Sequence, residues 1–259
     1  MKKAGIYTAF NREIPLEKRI CAIKNAGFDF ACLNFEKELA PTETTWENQL
    51  KLAQKYTLPI KAVHLTGSYA NALWENNSNL AVQSIKDEIS NMAKLGIKTG
   101  VLHVTWGLVP PSEPSNKALL NFLKITDTAV ENNVEIAFEN SVSAKHLRFV
   151  LDNIDSKNIG FCYDSGHENA FTPNHYFLES YAKRLITMHL HDNDGKNDLH
   201  LLPFDTNGTI NWQEKMALLN KTKPFETSVI LEAENKTEQY EIFLKNAYES
   251  ALKFNRPIV

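Results

Sequence analysis

Arginine is scarce in this chain: it supplies five of the 28 basic residues, and the formal net charge is −3. A protein that grips a phosphate backbone usually carries clustered lysine and arginine. No such cluster is present, which argues against nucleic acid as a partner. Cysteine is scarcer still. Cys21 falls in a helical pattern and Cys32 and Cys162 in strand-like runs, with no Cys-x-x-Cys among them. A disulfide framework is thereby excluded, and buried thiols are expected. The chain has no run of about 18 apolar residues, so no membrane span is expected. The apolar stretch after Met1-Lys2-Lys3 soon meets Asn11, Arg12 and Glu13. That is too short for a signal peptide, and cytoplasmic residence follows by default. A Gly-x-Gly-x-x-Gly, a Gly-rich phosphate loop, a Gly-x-Ser-x-Gly elbow and a His-Glu-x-x-His helix are all missing. No nucleotide cofactor is indicated.

What is present is an unbroken alternation of strand and helix patterns. Strand patterns cover Ala4–Phe10, Phe28–Phe35, Ile60–Leu65, Ile97–Val104, Val134–Glu139, Ile159–Asp164, Leu185–His191 and Ser228–Glu232. Helical patterns cover Leu16–Ala26, Thr45–Tyr56, Leu80–Leu95, Lys117–Glu131, Ala144–Asn153, Asn174–Lys183, Trp212–Leu219 and Glu238–Phe254. Gly96 is placed to stop the third helix. Strand interiors such as Ile-Gly-Phe-Cys-Tyr are apolar rather than alternating, as in sheets buried on both faces. Eight βα units in 259 residues, of which 43% are hydrophobic, match the ~250 residues of a (β/α)8 barrel. The expected fold is α/β, a single TIM barrel domain over residues 1–259, with an open doubly wound sheet as the alternative. The longest loops follow strands three, four and seven, on the face where barrel enzymes carry their sites.

Six of the eight histidines lie at or just after strand C-termini: His64, His103, His167, His189, His191 and His200. Glu139, Asp164 and Glu232 end strands in the same way. The tightest group is Glu139, Asp164, His189 and Glu232, closing Ile-Ala-Phe-Glu, Phe-Cys-Tyr-Asp, Ile-Thr-Met-His and Val-Ile-Leu-Glu. Three carboxylates in one barrel mouth would repel one another and raise their pKa values. A divalent cation removes that conflict. Three oxygens and one imidazole suit Mn, Mg, Co or Zn better than copper; Mn or Zn is the expected metal. The plainer alternative for each residue is a helix cap or an ion pair. His64 and His103 read as second-metal ligands, donors to substrate hydroxyls, or hydrogen-bonded barrel histidines. His167, in Asp-Ser-Gly-His, reads as a substrate contact or metal ligand. Asp198 and His200 share one side if their loop is extended, for metal or as plain polar loop residues. His191 faces the same way as His189 and is expected to contact substrate or hold Glu232, not metal. Trp74, Trp106 and Phe204 fall in mouth loops, against a sugar ring or in the core.

At these motifs the chain resembles the xylose isomerase-like barrel superfamily. The stretches that carry the resemblance are Phe-Glu139-Asn-Ser, Tyr-Asp164-Ser-Gly-His167, and Met-His189-Leu-His191-Asp192 running on to Asp198-Leu-His200. The resemblance covers almost the whole chain. That superfamily includes sugar and sugar-phosphate isomerases and epimerases, and endonuclease IV-type abasic-site nucleases. In the first branch it implies that Glu139, Asp164, His189 and Glu232 hold one divalent metal. Glu139 and Glu232 would also be the acid–base pair, and His167 would contact substrate oxygens. In the nuclease branch it implies three zincs: one on His64, His103 and Glu139, one on Glu139, Asp164, His189 and Glu232, and one on His167, Asp198 and His200. All nine positions are matched. Three features depart. The chain is mildly acidic. Asn193-Asp194-Gly195-Lys196 holds no arginine where the epimerases have one beyond the strand-seven histidine. His64-Leu-Thr-Gly-Ser-Tyr69-Ala-Asn71 is similar to the nuclease's His-x-x-Tyr loop only with shifted spacing.

The expected activity is therefore metal-dependent isomerisation or epimerisation of a sugar, sugar phosphate or related polyol ketone, by proton transfer through a metal-stabilised enediolate. His64, His103, His167 and His191 are the expected substrate contacts. No basic phosphate clamp is visible, which favours a free sugar. The alternatives are a zinc-dependent abasic-site phosphodiesterase, a metal-dependent lyase or dehydratase on the same barrel, and a barrel that binds a sugar without turning it over. Barrels of this kind often pair, so a homodimer is one expected state.

Overall fold

The computed structural model of the chain describes residues 1–35, 45–236 and 239–255. Each apolar run expected as a strand forms one, with bounds trimmed by a few residues. The strands are β1 (Lys3–Tyr7), β2 (Phe30–Asn34), β3 (Ile60–His64), β4 (Thr99–His103), β5 (Glu135–Glu139), β6 (Ile159–Asp164), β7 (Leu185–His189) and β8 (Ser228–Leu231). All pair in parallel, in the order β7-β6-β5-β4-β3-β2-β1-β8. The barrel closes at β7 and β8 through two bonds: Leu190 N–H to the Ile230 carbonyl (2.9 Å) and Glu232 N–H to the Leu190 carbonyl (3.3 Å).

The helices that cover this sheet, among the described residues, are α1 (Leu16–Asn25), α2 (Trp46–Lys55), α3 (Asn79–Lys94), α4 (Asn116–Glu131), α5 (Ala144–Asn153), α6 (Ser165–Phe171), α7 (Phe177–Tyr181), α8 (Trp212–Leu219), α9 (Lys223–Thr227) and α10 (Tyr240–Lys253). Ser115 and Asn211 cap α4 and α8, accepting from Ala118 N–H and Glu214 N–H. Gly96, at φ +78°, ends α3 as expected. The Ile97 N–H then reaches back to the Met92 carbonyl at 2.9 Å, a Schellman closure that aims the chain into β4. No helix of the described residues is long and apolar enough to cross a membrane.

Several local expectations are corrected. The run after β1 leaves the sheet at Tyr7, and Thr8–Phe10 form a 3-10 turn. The helix expected at Asn174–Lys183 is preceded by α6, which begins directly at Ser165, and is itself shortened to α7 and the 3-10 turn Ala182–Arg184. The Asp164 side chain accepts from the His167 N–H, caps the turn and starts a helix there, the helix-cap alternative given for it. The last helix begins at Tyr240; its expected first residue, Glu238, lies outside the described residues.

The core has two parts. A large cluster fills the space between sheet and helices. Inside the barrel only small groups pack, Tyr7, Phe30, Cys32, Ala62 and Ile230 on one side and Val101, Ala137 and Cys162 on the other. Cys32 and Cys162 are fully buried, as expected, while Cys21 on α1 is only half-buried. Burial pushes the Cys32 thiol up to about 12, so it stays protonated. The apolar interior stops below the strand C-termini, and polar side chains occupy the space above it.

Candidate metal centre

Strand register builds the site. His103 stands level with Glu139 across β4 and β5, and Asp164 with His189 across β6 and β7. One donor atom each from Glu139, Asp164, His189 and Glu232 lies within 4.8 Å of the others. His189 Nδ1 is the hub, 2.7 Å from Glu139 Oε1, 2.6 Å from Glu232 Oε2 and 3.9 Å from Asp164 Oδ2. Its Nε2 lies 2.9 Å from the Tyr7 hydroxyl at the end of β1. Glu139 is sealed from solvent, with Oε2 at 2.8 Å from His103 Nε2 and 3.1 Å from His64 Nε2.

Asp164 joins this group to a second shell of bonds. It accepts the His167 N–H at 2.6 Å, and His191 Nε2 stands 3.0 and 3.2 Å from its two oxygens. A Cβ at residue 166 would fall 1.9 Å from His191 Cε1, so glycine is what lets α6 approach. Higher in the mouth, His167 Nε2 and His200 Nε2 each lie 3.2 Å from Asp198 Oδ2. The His191 and His200 rings stack at 4.1 Å. His200 has φ +51°, so the extended geometry on which the shared side was conditional is not the one adopted. Asp198 and His200 meet all the same.

The wiring of the rings tests whether a cation belongs here. His64, His167 and His200 each place Nδ1 on a backbone carbonyl: Leu65 at 2.7 Å, Asn140 at 2.9 Å and Glu232 at 2.6 Å. A carbonyl only accepts, so each Nδ1 donates, and a neutral ring then presents a lone pair at Nε2. All three lone pairs face carboxylates. His189 also turns Nδ1 to Glu139 and Glu232, while its Nε2 meets the Tyr7 hydroxyl. Lone pair against carboxylate is repulsive unless a proton or a metal cation stands between. The donor set fits a divalent cation, and the tethered nitrogens orient the rings toward it.

The charge states agree. Burial opposes ionisation of Glu139 and Glu232, yet His189 and His103 hold Glu139 well below the usual carboxylate range, and His189 holds Glu232 down to about 2. At Glu139 and Glu232 the expected rise from mutual repulsion is thus corrected: the His189 imidazole stands between them. Burial likewise disfavours charge on the rings, but Glu139 and Glu232 raise His189 well above its ordinary value, the Cys162 thiol beside it being kept protonated by burial. Burial is outweighed again at His200, which Asp198 pushes up to about 10, and at His167, raised by Asp164 and Asp198. At His103 burial prevails and the pKa falls despite Glu139.

A cavity of about 360 Å³ opens over this floor, bordered by His64, His103, His167, His200 and Glu232. Its size is within the range of small-molecule sites. Trp106, packed on His103 at 5.3 Å, and Phe171, on His167 at 5.9 Å, give it apolar walls. Asn71 fixes the Trp106 backbone, accepting its N–H at 2.8 Å and donating to its carbonyl at 2.7 Å.

A family model described as xylose isomerase-like TIM barrel matches residues 20–257. The chain belongs to this family. It is 32% identical over 219 residues to Uncharacterized protein y4fM of Sinorhizobium fredii, a match covering 80% of this chain and 66% of that protein. The chain thus spans about two thirds of that relative's length. Among solved structures, a D-tagatose 3-epimerase-like protein superposes with a TM-score of 0.75 at 23% identity, covering 97% of both chains. The 3-keto-D-glucoside 4-epimerase YcjR from E. coli gives 0.71 at 15% identity, covering 98% of this chain and 100% of its own. At these identities the likeness is one of fold.

Within this xylose isomerase-like barrel, the nine ligand positions that the resemblance implied meet around one mouth. They fall in three groups: His64, His103 and Glu139; Glu139, Asp164, His189 and Glu232; and His167, Asp198 and His200. His191 is placed differently from expectation. It is fully buried, does not border the cavity, and bonds Asp164 rather than Glu232. Of the three mouth aromatics only Trp106 borders the cavity. Trp74 is buried against Phe122 with its indole N–H on the Val104 carbonyl, and Phe204 packs on Trp212 and Phe254. Tyr7, Arg12, Asn34 and Phe171 were not anticipated. Tyr7 and Asn34 sit at the ends of β1 and β2, where the strand-end rule would have found them.

Proposed function

We propose that the protein is a divalent-metal-dependent isomerase or epimerase of a sugar or related polyol ketone. The observation that carries this reading is the convergence of Glu139, Asp164, His189 and Glu232 beneath the cavity, with one glutamate from β5 and one from β8 against the same imidazole nitrogen. The family and the sugar epimerases that share its fold support it. Glu139, Asp164, His189 and Glu232 would hold the cation. When bound, it supplies a Lewis acid for adjacent carbonyl and hydroxyl oxygens.

Both glutamates stand ionised, and turnover requires one of them to have taken up a proton. The ionised one removes the proton α to the carbonyl; the protonated one gives its proton at the neighbouring carbon or the opposite face, and the two exchange protonation states in the process. Glu232 borders the cavity and stands nearest to substrate; Glu139 lies one layer deeper. His64, His103 and His167 present ring nitrogens to substrate oxygens, and Trp106 and Phe171 keep water from the reacting carbons. A single barrel domain over residues 1–259, working on a small molecule in the cytoplasm as monomer or homodimer, is part of the same proposal.

The test is metal content per chain, followed by epimerisation assays on ketoses with Mn or Zn supplied. About one cation per chain with ketose turnover is expected. Normal turnover by Glu139→Gln and Glu232→Gln proteins that retain metal would sink the mechanism. A second reading, zinc-dependent phosphodiester hydrolysis, is favoured by the two additional donor groups around His103 and Asp198. Close to three zincs per chain and nicking of abasic duplex would put it first.

A further inference from the structure

We infer that Arg12 holds an anionic group of the substrate, a carboxylate or a phosphate, at the rim of the cavity; this rests on the sugar-site reading above. Arg12 is the one lysine or arginine among the described residues that line the cavity. It also borders an adjoining recess of about 350 Å³, so it stands where the two spaces meet. A guanidinium keeps its charge at any physiological pH and matches a carboxylate or phosphate with a fork of parallel N–H donors. A guanidinium nitrogen that is enclosed without a partner carries a desolvation cost that a matching anion removes; Arg12 as a whole is half-buried.

Arg12 has no such partner among the described residues. Its Nη1 is enclosed and makes no hydrogen bond. The acidic neighbour that borders both spaces, Glu234, is paired with Lys236 at 3.2 Å. Asp198 is shared by His167 and His200, and Glu232 faces His189. Each carboxylate lining the cavity thus faces a cationic side chain through at least one oxygen, while among the described residues no carboxylate pairs with Arg12.

The turn that carries Arg12 is fixed. The Asn235 N–H donates to the Phe10 carbonyl at 2.7 Å, and the Glu13 N–H donates to Asn11 Oδ1 at 3.0 Å. A cation on a fixed turn, beyond Glu232 and free of partners, selects for charge at the end of the substrate away from the reacting carbons.

The experiment is calorimetric titration of the manganese-loaded protein with D-fructose, D-fructose 6-phosphate and D-fructuronate, in wild type, Arg12→Gln and Arg12→Lys. Wild type is expected to bind one of the two anions about tenfold or more tighter than D-fructose. The better anion tells phosphate from carboxylate. In Arg12→Gln that ratio falls to about one, and Arg12→Lys keeps part of it as a point charge. Circular dichroism confirms that the variants are folded. Equal affinity for all three probes, no binding of either anion, or a ratio unchanged in Arg12→Gln would overturn the inference. Anion preference through Arg12 without epimerisation of any probe would remove the proposed reaction and keep the anion site. Epimerisation of D-fructose without anion preference would do the reverse.

Discussion

Glu139 and Asp198 are both carboxylates gripped by imidazoles in the same barrel mouth, but they are held by different means. Glu139 ends a strand, is sealed from solvent, and has rings from β3, β4 and β7 on its two oxygens. Asp198 lies on the loop after β7 with its side chain 29% exposed; one oxygen serves both His167 and His200, and the other, Oδ1, is unbonded. The sheet fixes the first group whether or not anything is bound. In the second the rings are tethered by backbone carbonyls, but Asp198 itself is held by its ion pairs with them, and its unused oxygen leaves it capacity for another partner. A barrel mouth can thus carry a rigid floor and an adjustable rim within a few ångströms of each other.

The largest effect expected from breaking this contrast is on the floor. His189→Ala should abolish tight metal binding, read by metal analysis after dialysis, and lower kcat/KM on the active ketose by about 1,000-fold or more. The rim should matter less. A His167→Ala/His200→Ala protein should keep about one metal per chain and lose about 10- to 100-fold in kcat/KM; loss of two zincs instead would give the rim a metal of its own.

Behind the floor, His191→Ala leaves Asp164 without its ring partner. It should weaken Mn binding by about tenfold, measured by competition with a chelating dye. Unchanged affinity would reduce His191 to packing.

The smallest effect concerns pH in the chelator-treated protein. Glu232 is depressed to about 2 in the fold, so its stabilisation is present above the ordinary value of 4.5 and is lost as pH falls through about 2. His200 is raised to about 10, so its stabilisation is full below 6.5 and is lost as pH rises through about 10. Thermal melts should therefore decline on both sides, and metal loading should flatten the profile by replacing proton-mediated pairing.

Much of this was legible in the sequence because strand ends announce themselves. Apolar runs of five or six residues that stop on His, Asp or Glu placed Glu139, Asp164, His189 and Glu232 without knowledge of the register. What stayed hidden depends on chain reversal. A helix cap was the plainer alternative for Asp164 and the structure bears it out, but nothing local in Asp-Ser-Gly-His announces the short helix it starts, since glycine there serves a close approach to His191. His191 itself obeys strand alternation only if β7 continues, and β7 stops at His189. Trp74 and Phe204 are loop aromatics by position and core aromatics by contact, a distinction set largely by neighbours distant in sequence, Phe122 for Trp74 and Phe254 for Phe204. Arg12 carried no motif at all; its interest comes from which partners it lacks.

The closure of the barrel gives the metal site a mechanical meaning. A hoop is weakest at its joint, and here the joint between β7 and β8 is two hydrogen bonds around Leu190. His189 and Glu232 are the residues on either side of that joint. A cation gripping both side chains would act as a rivet through the hoop, so that emptying the site would loosen the wall as well as stop the chemistry.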